Sequence, residues 1–558
     1  MKRFAGIARA VGLALALATT GAWAESAGDT PRPPAAPPPI PVSSTADHAE
    51  FEALKRAFAS GPEVTEACLS CHNEADDQLA HSLHFKWDYE STSGQTLGKS
   101  NVINAFCGNV ASNEPRCTSC HAGYGWDDMS TAPAEMEVQP DCLVCHDRSG
   151  QYTKTATGAG HPPLDPVKPG TKTITGAPAW AVDLSKAAQS VGMPGRDNCG
   201  NCHFYGGGGD NVKHGDLSSV LYAPSEEVDV HMSPEGENFT CSTCHVEEDH
   251  NWAGSRYDVD MSIPEEAQEP GAHRVTATCE SCHSEQPHPL EVASGPVFIR
   301  NLKLNDHTDK LACQSCHIPE FARGGVPTKT LWDWSTAGQM NAEGKPYSED
   351  NWTSSTGKAM HTYMSTKGNF EYGEDVVPHY AWFNGSITYT LGDETIDPTR
   401  TVEINRLGGE AGDGVSRIWP FKRMEGRQGY DVNLNRLTYS NVWGPGTDTA
   451  FWTNFDWGNS IEAGMAAAGA EYSGEFDFVD TYMYWPITHM VAPAEDAVEC
   501  AECHAEDGRM ADLAGIYLPG SDPNGLTGII GKAILTLVLL GVIGHGLLRV
   551  LGRKSKEG

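Results

Sequence analysis

Eight copies of the motif C-x-x-C-H, a high content of glycine and proline, and one apolar run near the C-terminus predict the fold class of this 558-residue chain. The predicted class is mainly α with extensive irregular structure, organised as a multihaem cytochrome c fold around covalently bound haem groups. The 59 glycines and 35 prolines favour short helices and long irregular connections. The apolar run adds one C-terminal transmembrane helix, and we expect only minor β-structure, in the segment 318–490.

The eight motifs use sixteen of the seventeen cysteines. In C-x-x-C-H the two thiols attach the haem, and the histidine binds the iron from the proximal side. Eight such motifs that consume all cysteines but one do not fit a zinc or disulfide framework, so we predict eight covalently bound haem c groups. The attachment residues are Cys68, Cys71, Cys117, Cys120, Cys142, Cys145, Cys199, Cys202, Cys241, Cys244, Cys279, Cys282, Cys313, Cys316, Cys500 and Cys503, and the proximal ligands are His72, His121, His146, His203, His245, His283, His317 and His504.

Both ends of the chain carry targeting signals. Residues 1–24 have a basic start, an apolar middle and an Ala-x-Ala ending, as a cleaved signal peptide does. Residues 525–551 are apolar enough and long enough to cross a bilayer. The tail 552–558 follows with Arg553, Lys554 and Lys556, which predicts a cytoplasmic C-terminus. We therefore expect the haem-bearing body on the periplasmic side of the inner membrane, anchored by its C-terminal helix.

The rest of the chain divides by composition. Residues 25–62 are predicted to be a proline-rich spacer, and residues 63–317 a haem core with the first seven motifs. Residues 318–490 hold no motif but many aromatic residues and glycines; we expect a lobe with some strand near 386–392 and helices near 460–472. Residues 491–524 carry the eighth motif.

The formal net charge of −35 excludes nucleic acid as a partner and favours basic redox partners. The same charge would repel an anionic substrate, so a site for an anion needs local positive charge.

Fourteen histidines lie outside the motifs and are candidates for the distal side of the irons. We set aside His48, in the spacer, and His545, which lies between two small glycines of the membrane helix, where a packing role is expected. Seven others stand close to a motif and are predicted as distal ligands, although a surface histidine is the simpler alternative for any one of them: His84, His214, His231, His250, His288, His307 and His489. Weaker candidates are His81, His161, His273, His361 and His379.

Two short segments carry chemistry outside the motifs. Asn104 and Cys107 form an Asn-x-x-Cys segment upstream of the second motif, and Cys107 is the one cysteine that no motif uses. Asp183 and Lys186 share one face of a short helix predicted in DLSKAAQSVG, ended by Gly192. Lys186 and Asp183 can also be an exposed pair, and Cys107 a buried apolar thiol.

On these segments the chain resembles the octahaem cytochromes of the tetrathionate reductase family, over most of residues 68–504. The resemblance rests on NAFC, RCTSCHAGYGW, DLSK, VGMPGRDNCGNCHFYGGGGD, KHGDL and ACQSCHIPEFAR. It implies that the second haem is catalytic and that Lys186 is its distal ligand, with Asp183, Asn104 and Cys107 in the same pocket. It also implies reduction of tetrathionate to thiosulfate, with nitrite and hydroxylamine as further substrates.

Two alternatives remain beside this reductase. One is a non-enzymatic electron-transfer cytochrome between the quinone pool and periplasmic partners; the other is a hydroxylamine-oxidising octahaem enzyme. Nitrite reductases with a catalytic C-x-x-C-K motif are disfavoured, because all eight motifs end in histidine. For the reductase we expect a small inorganic sulfur or nitrogen substrate and an inner-membrane quinol dehydrogenase or periplasmic cytochrome as partner, with the oligomeric state open.

Overall fold

The computed structural model describes residues 46–554, except 115, 128, 130–139, 253, 258, 260–277, 291–294, 445–446 and 520–524. The predicted signal peptide, the proline-rich part of the spacer and His273 lie outside the described residues.

The described helices are short, apart from three of more than ten residues. Six single turns of 3-10 helix accompany them, at His48–Glu50, Glu52–Leu54, Thr118–Cys120, Ser219–Tyr222, Trp334–Thr336 and Ala494–Asp496. The α-helices are α1 (Gly61–Leu69), α2 (Ala75–Ala80), α3 (Cys142–His146), α4 (Leu184–Gln189), α5 (Arg196–His203), α6 (Cys241–Cys244), α7 (Cys279–His283), α8 (Gly295–His307), α9 (Gln314–His317), α10 (Phe451–Asn454), α11 (Trp457–Ala467), α12 (Cys500–Cys503) and α13 (Leu526–Lys554).

Strands dominate the segment between the seventh and eighth motifs. The strands of the described chain are β1 (Asp88–Glu90), β2 (Thr96–Gly98), β3 (Glu247–Glu248), β4 (Asn251–Trp252), β5 (Thr328–Asp333), β6 (Ser348–Glu349), β7 (Trp352–Thr353), β8 (Ala359–Met360), β9 (Tyr363–Met364), β10 (Gly368–Gly373), β11 (His379–Phe383), β12 (Ile387–Tyr389), β13 (Val402–Glu403), β14 (Asn405–Leu407), β15 (Arg417–Asp431), β16 (Arg436–Leu437) and β17 (Phe476–Pro486). Nine of them form one mixed sheet in the order β13-β17-β15-β5-β10-β9-β6, with β11 and β16 also paired to β15.

The expectation of a mainly α fold with minor β-structure is therefore wrong for this lobe. β15 and β17 pair antiparallel along all eleven residues of β17, and β5 lies parallel to β15 on its other side. β17 alternates buried and more exposed positions in FDFVDTYMYWP, the period of a half-buried strand. The many glycines and prolines led us to predict irregular structure, but this period-2 signal was already present in the sequence.

The lobe is not separate from the haem core. Its largest apolar cluster contains strand residues such as Trp332, Met424 and Trp485, together with Leu97 and Phe106 from the segment before the second motif. Residues 46–62, predicted as spacer, are likewise folded: Leu54 is buried in a cluster with residues of α1 and α4. The short helix predicted in DLSKAAQSVG is confirmed as α4, with Asp183 accepting a hydrogen bond from the Lys186 backbone N–H as its N-cap.

The C-terminal helix α13 is apolar and exposed along its length. Its stretch Gly528–Gly552 has a mean hydropathy of 2.1 and none of it is buried in the rest of the protein. By length and composition it could cross a membrane.

Candidate functional site

Seven of the eight haem motifs lie around one connected cavity. Most motifs start or end a single helical turn, which places the two cysteines, three residues apart, on one face. Cysteines of the first seven motifs line a cavity of about 3730 Å³, several times the 300–1,000 Å³ of an ordinary ligand pocket. A space of this size bordered by thiols and imidazoles fits a set of large flat cofactors held by thioether and iron bonds.

Seven proximal histidines each face a second histidine across a gap that would hold one iron. An iron bonded to one ring nitrogen on each side, at about 2 Å, separates the two ring centroids by about 6 Å. The observed separations are 6.0–6.4 Å. The pairs, proximal residue first, are His72–His48, His146–His250, His203–His84, His245–His489, His283–His231, His317–His288 and His504–His307.

Hydrogen bonds orient several of these rings with the second nitrogen free for a metal. Nδ1 of His146 bonds the Gly192 carbonyl oxygen at 2.9 Å, and Nδ1 of His504 bonds that of Pro519 at 2.9 Å. Among distal rings, Nδ1 of His288 lies 3.0 Å from Asn305 Oδ1. Ligand histidines in metalloproteins carry this second hydrogen bond, which fixes the tautomer and the ring plane.

Six of the seven predicted distal histidines occupy such pairs: His84, His231, His250, His288, His307 and His489. His214 does not; its ring lies edge-on to Trp485 at 4.9 Å. The seventh pair is completed by His48, which lies in the part of the chain predicted as spacer. His48 starts the first 3-10 turn, capped by Asp47, and its ring lies 6.3 Å from His72 at 18°.

Four weaker candidates are engaged elsewhere. His81 Nδ1 lies 2.6 Å from the Asp77 carbonyl oxygen and His361 Nδ1 lies 2.5 Å from Asp350 Oδ1, both at exposed positions. His161 and His379 stack on tyrosine rings.

The second motif differs from the other seven. Within the described residues, no second histidine faces His121 at the distance of the pairs above; its ring instead stacks on Trp87 with centroids 3.6 Å apart. On the proximal side, Lys154 Nζ donates to the His121 carbonyl oxygen at 2.8 Å and ion-pairs with Asp141 at 2.8 Å. The second site is therefore the one with room for a distal group other than imidazole.

The structure brings Asn104 and Cys107 to this part of the cavity. Cys107 Sγ donates to the Gly207 carbonyl oxygen at 3.4 Å, and Asn104 Oδ1 accepts from Arg256 Nη1 at 3.1 Å. Burial raises the pKa of the Cys107 thiol, while Lys367, Lys329 and Arg116 act in the opposite direction.

Lys186 and Asp183 are not brought there, although the resemblance predicts both in this pocket. The Lys186 side chain is 68% exposed and lies 3.5 Å from Asp183, as a surface pair on α4. Helix α4 packs on the segment around the first motif, so its polar face points to solvent.

Another lysine, missed in the sequence, lies in the pocket. Lys213 lines the cavity and lies beside Gly207. A Cβ added at Gly207 would come within 3.3 Å of Lys213 Cβ and 3.1 Å of the Phe106 ring, so the three residues are closely packed. Its Nζ lies 5.1 Å from the Trp485 ring centroid. The sequence signal was present: Asp210-x-x-Lys213 repeats the spacing of Asp183-x-x-Lys186, directly after the fourth motif.

The β-lobe holds both segments of this pocket through side-chain hydrogen bonds to their backbone carbonyl oxygens. Gln428 Nε2, on β15, donates to the Asn104 carbonyl oxygen at 2.8 Å, and Trp334 Nε1 donates to that of Phe106 at 3.1 Å. Lys422 Nζ, also on β15, donates to the carbonyl oxygens of Val212 at 2.7 Å and Lys213 at 3.3 Å.

The pocket is locally cationic in a chain of strongly negative net charge. The charges of Lys99, Lys154 and Lys213 act to lower the pKa of the Cys120 thiol. Arg116 and Lys99 act in the same direction on the pKa of the Cys117 thiol, and Glu114 acts in the opposite direction. Burial, together with the cations Arg256 and Lys99, holds the pKa of Lys213 well below its usual value.

Comparisons with known proteins agree with the haem geometry. A family model described as "Cytochrome c bacterial" matches residues 329–507. The chain is similar to a crystal structure of octaheme cytochrome c from Shewanella oneidensis, with 38% sequence identity and a TM-score of 0.69, over 86% of this chain and 98% of that one. It is also 24% identical to an uncharacterized protein of Archaeoglobus fulgidus, over 35% of this chain and 77% of that relative.

Proposed function

We propose a specific reductase activity for this chain, which belongs to the octahaem cytochromes c of the tetrathionate reductase family and binds haem c covalently at its eight motifs. In this proposal seven bis-histidine haems carry electrons to the second site, which reduces a small oxidised sulfur or nitrogen species: the anion tetrathionate first, and the anion nitrite or neutral hydroxylamine next. The haem supplies electrons and an iron able to bind substrate; the protein supplies the anion pocket around it.

The observation that carries the proposal is the asymmetry of the second site. Seven proximal histidines have a histidine opposite, as a saturated electron-transfer haem requires. His121 has none among the described residues, and the adjoining cavity is lined by the cations Lys99, Arg116 and Arg256. Cations in a water-poor pocket attract and orient an anion strongly, and the acidic surface of the chain does not supply them.

Lys213 takes the role that the resemblance had given to Lys186. A neutral lysine amine can bind a metal, whereas an ammonium cannot. The lowered pKa of Lys213, caused by burial and by the neighbouring cations Arg256 and Lys99, favours the neutral form. Released as an ammonium in the presence of substrate, the same side chain would add positive charge beside the anion.

Arg256 is positioned to bind the anion. It donates to Asn104 Oδ1, and its guanidinium carbon lies 4.5 Å from the Tyr257 ring centroid and 5.6 Å from that of Trp485. The planar guanidinium suits an oxyanion, because its donors match two oxygens at once.

Cys107 has two possible tasks in this pocket. As a thiolate it could attack a central sulfur of tetrathionate, which forms Cys–S–S–SO₃⁻ and releases thiosulfate; two electrons would then return the thiolate and a second thiosulfate. As a thiol it could donate a hydrogen bond to a bound oxyanion. The burial-raised pKa of Cys107 favours the second task at neutral pH.

The test replaces each lysine in turn. Lys213→Met should leave eight haems attached but change the spin state of one of them, and lower reduction of tetrathionate and nitrite by reduced viologen. Lys186→Met is the matched control, an exposed Asp-x-x-Lys lysine, and should behave as the unmodified protein. A change with Lys186→Met and none with Lys213→Met would reverse the assignment.

Seven histidine pairs also suit the alternative of an electron relay without a substrate. The two functions differ in turnover: a relay would exchange electrons with redox proteins but would reduce none of tetrathionate, nitrite and hydroxylamine when reduced viologen is the donor.

For either function we propose that α13 anchors the body on the periplasmic face of the inner membrane, with the C-terminal tail cytoplasmic. Electrons would come from a quinol dehydrogenase there.

A further inference from the structure

Three cations and two tryptophan rings lie together where the β-lobe meets the second motif. Lys329 Nζ is 4.0 Å from the centroid of the Trp332 ring, and Lys367 Nζ is 5.8 Å from the same centroid. Lys367 Nζ is also 5.4 Å from the centroid of the Trp452 ring, and the Arg116 guanidinium carbon is 5.1 Å from it. All four distances are within the range of a cation–π contact. We call these five residues the lobe cluster.

The sheet holds the lobe cluster beside the Cys107 thiol. Lys329 and Trp332 belong to β5, and Trp332 Nε1 donates to the Lys367 carbonyl oxygen at 2.8 Å, in the turn before β10. Burial raises the pKa of Cys107, and the three cations of the cluster are the groups whose charges oppose this. Because Cys107 and Arg116 also line the large cavity, the cluster adjoins the second site.

No carboxylate of the described residues neutralises the two lysines. Burial holds the pKa of Lys329 well below its usual value, and Lys367 adds to this effect. Burial also lowers the pKa of Lys367, and Arg116 acts in the same direction. For both lysines Cys107 is the only described group that acts in the opposite direction.

Buried positive charge without a counter-charge is costly, so the lobe cluster is suited to an anion. Lys329 is only 6% exposed. The indole Nε1–H of Trp452 is buried and has no acceptor among the described residues. An oxyanion would supply both the missing negative charge and the missing acceptor.

The second site therefore has two sets of cations. Arg256 and Lys99, together with burial, lower the pKa of Lys213, whereas the lobe cluster acts on Cys107. Tetrathionate carries its negative charge on two terminal sulfonates, which are joined by three S–S bonds of about 2 Å each. A dianion of this shape uses a set of cations at each end, whereas nitrite uses only one.

We propose that the lobe cluster is a second anion subsite, which binds the sulfonate of tetrathionate on the side of Cys107. Arg256 and Lys99 bind the other sulfonate, on the side of Lys213, and the central S–S bond lies next to the Cys107 thiol. This inference rests on the proposed reductase function and adds its substrate class, namely anions with two terminal sulfonates.

The test measures binding without turnover, in the full haem-loaded chain in its oxidised form. Ethane-1,2-disulfonate replaces the two central sulfurs of tetrathionate by methylene groups and has no S–S bond to reduce, and ethanesulfonate carries only one of the two charges. In the unmodified protein, isothermal titration calorimetry should give a dissociation constant for the disulfonate that is about tenfold or more below that for ethanesulfonate, the contribution of one further hydrogen-bonded charge.

Substitutions at Lys367 locate this difference in affinity. Lys367→Gln should abolish it, and Lys367→Arg, which keeps the charge, should retain most of it. Lys358→Gln removes one charge from an exposed position of the same lobe and should leave the difference unchanged. The pyridine haemochrome assay and the urea midpoint verify that all variants are loaded and folded.

Two results would overturn the subsite: equal affinities for the two sulfonates in the unmodified protein, or a difference that survives in Lys367→Gln. The viologen assay then separates the subsite from the reductase function. Lys367→Gln should raise the KM for tetrathionate several-fold more than the KM for nitrite, and an equal rise would also count against the subsite. If the disulfonate binds as expected but the unmodified protein does not reduce tetrathionate, the subsite stands and the proposed reductase activity is refuted.

Discussion

The assignment of His48 opposite His72 predicts a countable change in spin state. In His48→Ala the first haem keeps its two thioether attachments and His72, but loses the ring that lies 6.3 Å from His72. An iron with one strong axial ligand is high-spin, so one of the eight haem irons should leave the low-spin pool. The expected change is one eighth of the total haem iron, from a single substitution.

The matched control is His214→Ala. The sequence had predicted His214 as a distal ligand, whereas the structure packs its ring against Trp485. This variant should therefore keep the number of low-spin haems of the unmodified protein. Quantitative electron paramagnetic resonance of the ferric protein measures the spin states, and the pyridine haemochrome assay verifies eight haems per chain in all samples.

Two results with these variants would contradict the assignment of His48. If His48→Ala keeps the number of low-spin haems of the unmodified protein, then two histidine rings about 6 Å apart do not identify the axial ligands of a haem iron. A loss of one low-spin haem in His214→Ala alone would restore the sequence-based assignment.

Three further predictions follow from buried contacts of the second site. Lys154→Met should lower the free energy of unfolding by about 3 kcal/mol, because it leaves buried Asp141 without its cation, whereas the exposed Lys55→Met should leave the urea midpoint unchanged. Lys422→Met removes the donor to two carbonyl oxygens of the pocket and should alter the resonance signals of the second haem only. Cys107→Ala should lower tetrathionate reduction more than nitrite reduction if the thiol attacks sulfur; equal losses, measured with the same viologen assay, would leave only the hydrogen-bonding role.

The haem attachment could be predicted from the sequence because each motif is a local chemical signature. Cysteines and proximal histidine lie within five residues, so no tertiary information is needed. Most of the histidines that face a proximal histidine could also be predicted, since they lie close to a motif along the chain. His48 could not, because the prolines before it suggested a solvated spacer, although the apolar residues of FEALKRAF that follow it indicated a folded segment.

The two Asp-x-x-Lys segments show the limit of spacing as evidence. Asp183-x-x-Lys186 and Asp210-x-x-Lys213 are identical patterns, and both lie between motifs. Only the fold separates them: α4 packs its apolar side on the first motif region and leaves Lys186 in solvent, whereas the glycines before Lys213 allow close approach to Phe106. A spacing identifies which residues share a helix face, but not which way that face points.

The β-lobe explains why the second site can differ from the other seven. A bis-histidine haem needs one motif and one further ring, which short turns can supply. The second pocket instead needs two backbone segments, 104–107 and 212–213, that are more than a hundred residues apart. β15 holds both segments through the side chains of Gln428 and Lys422. It also approaches the first segment closely, because a Cβ added at Gly426 would lie 3.3 Å from the Ala105 carbonyl oxygen. A strand hydrogen-bonded on both sides is a rigid support, so the sheet that composition failed to predict is what holds the second pocket in place.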